Sequence, residues 1–126
     1  MLVDTLGLVL VAHVQPASEQ DRRGPVLAEA ARCYSALRRV WADGGYSGPL
    51  VASAAPAGCQ VVIVAKPAGR KTFTALPRRW VVERTFAWLS RYRRLGTRDL
   101  ESTPHSSRAW VFIAMIHLMC RRLQPA

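Results

Sequence analysis

Two carboxylates stand in surroundings that suit phosphodiester chemistry. Asp43 ends the apolar run Val40–Ala42 and precedes Gly44 and Gly45, and Glu83 stands among arginines. Cleavage and transfer of phosphodiesters need an activated oxygen nucleophile and a neutralised phosphate, and two divalent ions held by acidic side chains supply both. Mg²⁺ takes hard oxygen ligands and usually one or two carboxylates per ion. The two acids are therefore candidate metal ligands.

Each acid also has a simpler interpretation. An aspartate before a glycine turn commonly forms an Asx-turn, and spacing alone explains Asp43 equally well in this way. Glu83 could serve only to balance charge on a cationic helix. The remaining acids fall in turns, caps or exposed positions, where a capping or solvated role suffices. They are Asp4, Glu19, Asp21, Glu29, Asp99 and Glu101.

The positive charge is concentrated around Glu83. Between residues 66 and 98 there are ten basic residues and one acid, a surplus of nine out of the whole chain's net charge of +10. A merely solvated face usually pairs acids with bases, whereas this excess favours contact with a polyanion such as DNA. The predicted DNA contacts are Lys66, Arg70, Lys71, Arg78, Arg79, Arg84, Arg91, Arg93 and Arg94.

The segment that carries Glu83 is predicted to be a helix. Val82, Phe86 and Leu89 recur at steps of four and three, so they share one apolar stripe. Pro77 is acceptable in a first helical turn, and Gly96 is a natural stop after the last one.

The rest of the chain alternates between strands and helices. The predicted elements are a hairpin over residues 1–14, a helix from Ser18 or Pro25 to about Leu37, a strand at 40–42, a short helix at 50–57, a strand at 60–64 and a basic loop at 68–75. This order predicts an α/β layered domain with a mixed sheet. Asp43 would then lie at the carboxyl end of a strand, where α/β folds commonly place a site.

A final helix is predicted over residues 105–123. Thr103 and Pro104 form a good start, as cap and first position. Its predicted apolar face consists of Trp110, Ile113, Ile116, His117 and Cys120. On that face His117 is interpreted as a satisfied core histidine rather than a ligand.

Composition indicates a soluble, cytoplasmic protein. Its 126 residues are 50% hydrophobic, which argues against disorder. Cys33, Cys59 and Cys120 are odd in number and lack metal-finger spacing, as expected for reduced thiols. The apolar run Ala109–Cys120 is too short to cross a bilayer of about 30 Å. We therefore expect no membrane partner.

Two long motifs resemble bacterial insertion-sequence transposases of the DDE type. They are VWADGGYSG at Val40–Gly48 and PRRWVVERTFAWLSRYRRL at Pro77–Leu95. The opening LVDTLGL at Leu2–Leu8 and QDR at Gln20–Arg22 are also similar to this family. The resemblance covers nearly the whole chain.

The resemblance implies a ribonuclease-H-like fold that binds two Mg²⁺ or Mn²⁺ ions and cuts and joins DNA at element ends. Asp43 matches the family's second aspartate and Glu83 its glutamate, which makes both catalytic and metal-binding residues. Arg79 matches the arginine four positions before the glutamate. The implied partners are element-end and target DNA, together with further copies of the chain or a separately encoded amino-terminal piece.

The departures from the family pattern are informative as well. In the family, the first aspartate lies on a strand that precedes the segment at which this sequence starts. The family also tends to carry a basic residue seven positions after the glutamate, where this sequence has Ser90. We therefore expect residues 1–126 to form a single incomplete catalytic domain, with little strand-transfer activity alone. Its parts are the hairpin, helix and sheet strands at 1–64, the basic loop and Glu83 helix at 65–96, and the final helix at 104–123. The alternatives are a non-catalytic DNA-binding remnant and one part of a split transposase.

Overall fold

The computed structural model describes residues 1–16, 24–46, 55–64, 80–96 and 101–124. Its strands are β1 (Leu2–Val3), β2 (Val9–Val11), β3 (Arg39–Ala42) and β4 (Gln60–Ile63). Its α-helices are α1 (Gly24–Cys33), α2 (Trp80–Leu89), α3 (Arg93–Gly96) and α4 (Pro104–Leu123). The predicted α/β class is confirmed. The predicted basic loop at 68–75 and the predicted capping residues Ser18 and Asp21 lie outside the described residues.

The amino-terminal hairpin turns on Asp4 and Gly7. One carboxylate oxygen of Asp4 accepts the backbone N–H groups of Leu6 and Leu8, at 2.9 and 2.8 Å. Gly7 has a φ of +86°, a left-handed conformation that favours glycine. The interpretation of Asp4 as a structural turn residue is therefore confirmed.

The described strands form two separate two-stranded sheets. β1 pairs with β2 antiparallel, and β3 pairs with β4 parallel from Arg39–Gln60 to Ala42–Ile63. A mixed sheet would contain both kinds of pairing, but no ladder joins the two pairs within the described part of the chain. Two-stranded sheets are marginal by themselves, so each pair must gain its stability from the helices that cover it.

Helix α1 packs against both sheets. Its Val26 and Ala30 join Val11 of β2 in one buried cluster, and its Leu27 joins Val40 of β3 in another. The helix is shorter than predicted, because the chain turns at Tyr34 instead of continuing to Leu37. There the backbone N–H of Leu37 donates to the carbonyl of Tyr34 at 3.1 Å.

Helix α2 buries only part of the predicted apolar stripe. Thr85 and Leu89 are buried, whereas Phe86 is 56% exposed, so the predicted stripe is wrong at Phe86. The helix also ends at Leu89, and a turn separates it from α3. The predicted stop at Gly96 stays a prediction, because Gly96 itself belongs to α3 and residues 97–100 lie outside the described ranges.

Helix α4 begins as predicted but buries the opposite face. Thr103 Oγ1 accepts the backbone N–H of Ser106, and Pro104 occupies the first position. Ala114 and Met115 are buried with Val9 and Leu89. Four members of the predicted buried face are exposed instead, namely Ile113, Ile116, His117 and Cys120, while Trp110 is half-buried. Apolar residues surround this helix on all sides, so periodicity alone could not select the face that packs.

A smaller correction concerns the helix predicted at 50–57. Its described end, Ala55–Ala57, is not helical: the N–H of Cys59 closes a turn onto the carbonyl of Pro56 at 2.9 Å. Residues 50–54 lie outside the described ranges. Among the described residues, none of the helices combines the length and apolar character needed to span a bilayer.

Candidate metal and nucleic-acid site

Glu83 is positioned by contacts between α2 and the hairpin turn. The buried hydroxyl of Thr85 donates to the Gly7 carbonyl at 2.7 Å, and Arg84 Nη2 donates to the Leu6 carbonyl at 2.9 Å. A Cβ on Gly7 would lie 2.9 Å from both Thr85 Oγ1 and the Trp88 ring, so helix and turn are in close contact. Glu83 stands two residues before Thr85, about 160° around the helix, and it is exposed. Its carboxylate is thus presented on the outer side of a fixed helix.

Asp43 occupies the end of a parallel strand pair, as predicted. It directly follows β3, and its backbone carbonyl accepts the N–H of Tyr46 at 2.9 Å to close the 3₁₀ turn Gly44–Tyr46. The ladder continues to this level, because the N–H of Val64 donates to the Ala42 carbonyl at 2.8 Å. Asp43 is exposed.

The two acids belong to different parts of the fold. Glu83 lies on a helix that packs on the hairpin and α4, and Asp43 follows a strand that pairs with β4. Within the described ranges, no group of three or more His, Cys, Asp or Glu side chains is placed to hold a metal ion. Both residues are exposed, and carboxylate oxygens are the donor type that Mg²⁺ and Mn²⁺ accept, so the residue types fit such an ion. Their joint use as metal ligands stays a prediction.

The predicted DNA-contacting arginines differ in how they are engaged. Arg84 lies between the rings of Trp80 and Trp88, at 4.4 and 4.7 Å from their centroids. Its buried Nε has no acceptor among the described residues. Arg94 pairs with Glu101 at 2.6 Å and stacks on Trp110 at 4.8 Å. These two guanidinium groups therefore already hold structural partners.

Arg91 and Arg93 differ from these two arginines in their position. They follow α2 in the turn and at the start of α3, and both are exposed. They thus extend the cationic character of the Glu83 segment to the surface. The other predicted contacts lie outside the described residues: Lys66, Arg70, Lys71, Arg78 and Arg79.

A comparison with known protein families gives a match over most of the chain. Residues 1–119 match the model of the transposase DDE domain family. The chain belongs to this family. No curated protein and no solved structure matches it.

Several contacts in this transposase domain involve residues that the sequence analysis did not single out. Sequence reasoning missed the role of Thr85 and Gly7 in fixing the Glu83 helix, since a contact 78 residues apart leaves no local signal. It also missed Arg122, which stacks on the ring of Trp88 at 4.4 Å from the centroid. The four-residue spacing of Trp80, Arg84 and Trp88 did carry a signal, because such residues stack along one helix face.

Two other features of this transposase domain involve titratable side chains. Tyr92 Oη and His117 Nδ1 lie 2.8 Å apart, which ties the turn after α2 to α4. Desolvation raises the pKa of the Cys59 thiol, so this side chain is held protonated near neutral pH. A protonated thiol is a poor metal ligand.

Proposed function

We propose that the chain is the carboxy-terminal part of a bacterial DDE transposase catalytic domain, which binds DNA and contributes Asp43 and Glu83 to a divalent-metal site. The observation that carries this proposal is the family match over residues 1–119. The exposure of both acids and the cationic surface at Arg91 and Arg93 support it. In the full domain the reaction is cleavage and joining of DNA at element ends.

The proposal includes a ribonuclease-H-like sheet. The pairs β1–β2 and β3–β4 would form its two sides, with the strand that carries the family's first aspartate between them. That strand would come from sequence ahead of residue 1 or from a separately encoded chain. The common cover provided by α1 supports this arrangement, because one helix packs against a buried residue of each pair.

The chain's own residues would divide the work as follows. The carboxylates of Asp43 and Glu83 would hold Mg²⁺ or Mn²⁺, which when bound supplies activation of the attacking oxygen and stabilisation of the phosphate charge. Arg91 and Arg93 would bind DNA phosphates and fix the strand next to the acids. Thr85 and Arg84 would keep the Glu83 helix in place against the hairpin.

A binding-only remnant is the second candidate. It is favoured by the lack of a three-ligand metal cluster in the described ranges. Under this hypothesis the arginines bind DNA at the bacterial nucleoid, and neither acid takes part in chemistry. Both hypotheses share the DNA partner, so binding and cleavage have to be measured separately.

Salt dependence tests the binding part. Duplex affinity, measured by fluorescence anisotropy, is expected to fall steeply with salt, with a log–log slope of about −0.9 per phosphate neutralised. Replacing Arg91 and Arg93 by Ala should weaken binding and reduce the slope by up to about 2 units. The matched control replaces Arg32 and Arg38, which are exposed outside the basic segment and remove the same charge. A flat salt response, or equal loss in the control, would contradict the proposed surface.

Metal dependence tests the catalytic part. The 126-residue chain, and the same chain with an upstream strand bearing an aspartate, are incubated with element-end DNA and Mg²⁺ or Mn²⁺. We expect little cleavage by the chain alone and metal-dependent cleavage by the extended protein. In the extended protein, Asp43→Asn or Glu83→Gln should lower the cleavage rate by several powers of ten. Unchanged DNA binding in these variants is the control. Cleavage that survives both substitutions would refute the assignment, and extended protein that binds but never cleaves would favour the binding-only remnant.

A further inference from the structure

An acidic residue lies beside the surface that Arg91 and Arg93 offer to DNA. Arg94 follows these two arginines along the chain, and all three are exposed. Within the described residues no acid forms an ion pair with Arg91 or Arg93, whereas Arg94 Nη1 donates to Glu101 Oε1 at 2.6 Å. The three neighbouring cations are therefore not equivalent, and the role of Glu101 requires an explanation.

The ion pair between Arg94 and Glu101 is held in place by helix α4. Helix α3, which carries Arg94, packs against α4. The Arg94 guanidinium stacks on Trp110 of α4, with 4.8 Å to the ring centroid. Glu101 precedes by two residues the Thr103 cap, whose Oγ1 accepts the backbone N–H of Ser106. Both partners are thus attached to the same helix, the arginine through stacking and the glutamate through the chain.

The two partners of this ion pair differ in their exposure to solvent. The side chain of Arg94 is 53% exposed and that of Glu101 only 14%. A guanidinium has five N–H donors, and the bond to Glu101 engages Nη1. The cation therefore lies on the solvent side of the pair and the carboxylate on the more buried side. A partly buried charge is screened less by salt than an exposed one, so the carboxylate still acts on an anion that approaches Arg94.

A DNA phosphate that approaches Arg94 meets the negative charge of Glu101 at close range. In water, two like charges about 4–5 Å apart repel strongly enough to lower an affinity about fivefold. Pairing also cancels the charge of the arginine, so its attraction for a more distant phosphate is lost. Arg94 consequently contributes far less to DNA binding than its position beside Arg93 indicates.

We propose that Glu101 limits DNA binding by withholding Arg94 from the phosphate backbone. This inference rests on the proposed function, since it concerns the affinity of the same DNA surface. In the unsubstituted protein Arg91 and Arg93 bind phosphates, and Arg94 stays with Glu101 and Trp110. Glu101 is a positioning residue, because it acts through Arg94 and does not itself touch DNA.

The ligand affected is duplex DNA of any sequence. Contacts to phosphates carry no sequence information, and they supply nearly all of non-specific binding. A protein of net charge +10 is readily retained by any duplex that it meets. One withheld phosphate contact weakens this retention and leaves contacts to bases unchanged. It therefore increases the share of the affinity that depends on sequence.

Removal of the Glu101 charge tests the proposal. Glu101→Gln keeps the side-chain length and an oxygen that accepts from Arg94, so the contact between α3 and α4 is retained. By fluorescence anisotropy on a duplex of random sequence, we expect about fivefold tighter binding at physiological salt. The log–log salt slope should steepen by about 0.9, the value for one additional phosphate neutralised.

Glu29→Gln is the matched control. Glu29 pairs with Arg108, and their side chains are 16 and 36% exposed, so the substitution removes the same charge from a similar ion pair. Arg108 lies about 160° around α4 from Trp110, on the other side of the helix from Arg94. We expect less than about a twofold change in affinity, since across a helix about 10 Å in diameter most of the interaction is screened. Equal strengthening by both substitutions would overturn the proposal, because net charge alone would then explain it.

A charge-neutral double variant separates withholding from contact. Arg94→Gln combined with Glu101→Gln leaves the net charge of the protein unchanged. Because the pair is inert toward DNA under this proposal, the double variant should bind as the unsubstituted protein does, within about twofold. The gain from Glu101→Gln alone should be lost. Binding weakened about fivefold would show that Arg94 already contacts a phosphate, and it would overturn the proposal.

Stability and binding together distinguish the remaining outcomes. Circular dichroism and thermal unfolding check that each variant is folded. A lowered melting temperature of Glu101→Gln with no gain in affinity would make the ion pair a purely structural contact and overturn the proposal. Salt-dependent binding by the unsubstituted protein, again with no gain from Glu101→Gln, refutes this inference alone. Failure of the unsubstituted protein to bind any duplex refutes the proposed function, and this inference with it.

Discussion

The two acids of the candidate site rest on supports of unequal strength. Glu83 lies on α2, whose Leu89 joins Val9, Ala114 and Met115 in the largest buried cluster of the described residues. Asp43 follows β3, whose cluster contains two buried residues, Leu27 and Val40. Side-chain hydrogen bonds lock the first region to a distant turn, while among the described residues the second is joined to β4 by a four-residue ladder. A site shared by both regions would have one fixed wall and one more adjustable wall.

Glycine substitutions give the largest expected difference between the regions. Gly7 and Gly58 both have positive φ, at +86° and +75°. Around Gly7 a Cβ would meet Thr85 Oγ1 and Trp88 at 2.9 Å, whereas around Gly58 it would meet no atom of a described residue within 4 Å. Gly7→Ala should lower the free energy of unfolding by about 2–4 kcal/mol, because overlap adds to backbone strain. Gly58→Ala should lower it by only about 1 kcal/mol.

Urea unfolding of the two variants checks this expectation, since both carry the same added methyl group and the same backbone strain. Their difference isolates the close contact between the hairpin turn and α2. Equal destabilisation of the two variants would show that α2 does not pack closely against Gly7. The Glu83 region would then not be held more firmly than the Asp43 region.

The hydroxyl of Thr85 gives the next largest effect. Thr85→Val keeps the shape of the side chain but removes the donor to the Gly7 carbonyl, leaving a buried acceptor without its partner. We expect a loss of about 1–2 kcal/mol in the free energy of unfolding. Thr85→Ser retains the hydroxyl and should recover most of it. If valine is tolerated as well as serine, packing rather than the hydrogen bond holds the helix.

The sequence predicted local structure better than the packing of helices. The Asp4 turn and the Thr103 cap were predictable because neighbouring residues determine each of them. The buried faces of α2 and α4 were not, because both helices carry apolar residues outside their packed faces. There Phe86 and Ile116 gave the same signal as truly buried residues, and the choice was made by contacts such as that between Thr85 and Gly7.

The candidate site shows the same division. The positions of Asp43 after a strand and Glu83 on a helix followed from local pattern, and the structure places both there. The engagement of Arg84 by Leu6 and of Arg94 by Glu101 did not, since each partner lies outside the arginine's own helix. Charge counting therefore identified the cationic segment but could not separate structural arginines from exposed ones.

The ion pair between Glu29 and Arg108 offers a smaller effect that connects the two regions. It joins α1, which covers both sheets, to α4, and its side chains are 16 and 36% exposed. Because solvent screens the pair, Glu29→Gln should cost only about 0.5–1 kcal/mol at low salt and less at high salt. A double-mutant cycle with Arg108→Gln measures the coupling. The Arg94–Glu101 pair, which lies within the fixed region, serves as comparison.

The smallest effect on stability is expected at the acids themselves. Asp43 and Glu83 are both exposed, so Asp43→Asn and Glu83→Gln should each change the free energy of unfolding by less than about 0.5 kcal/mol. Thermal unfolding with and without Mn²⁺ sharpens the comparison, because a metal held by both acids stabilises the folded state by mass action in the unsubstituted protein only. In the extended protein the metal-induced rise in melting temperature should disappear in either variant. A rise that persists without Asp43 but not without Glu83 would place the ion on the fixed wall alone, and the adjustable region would then have no part in holding it.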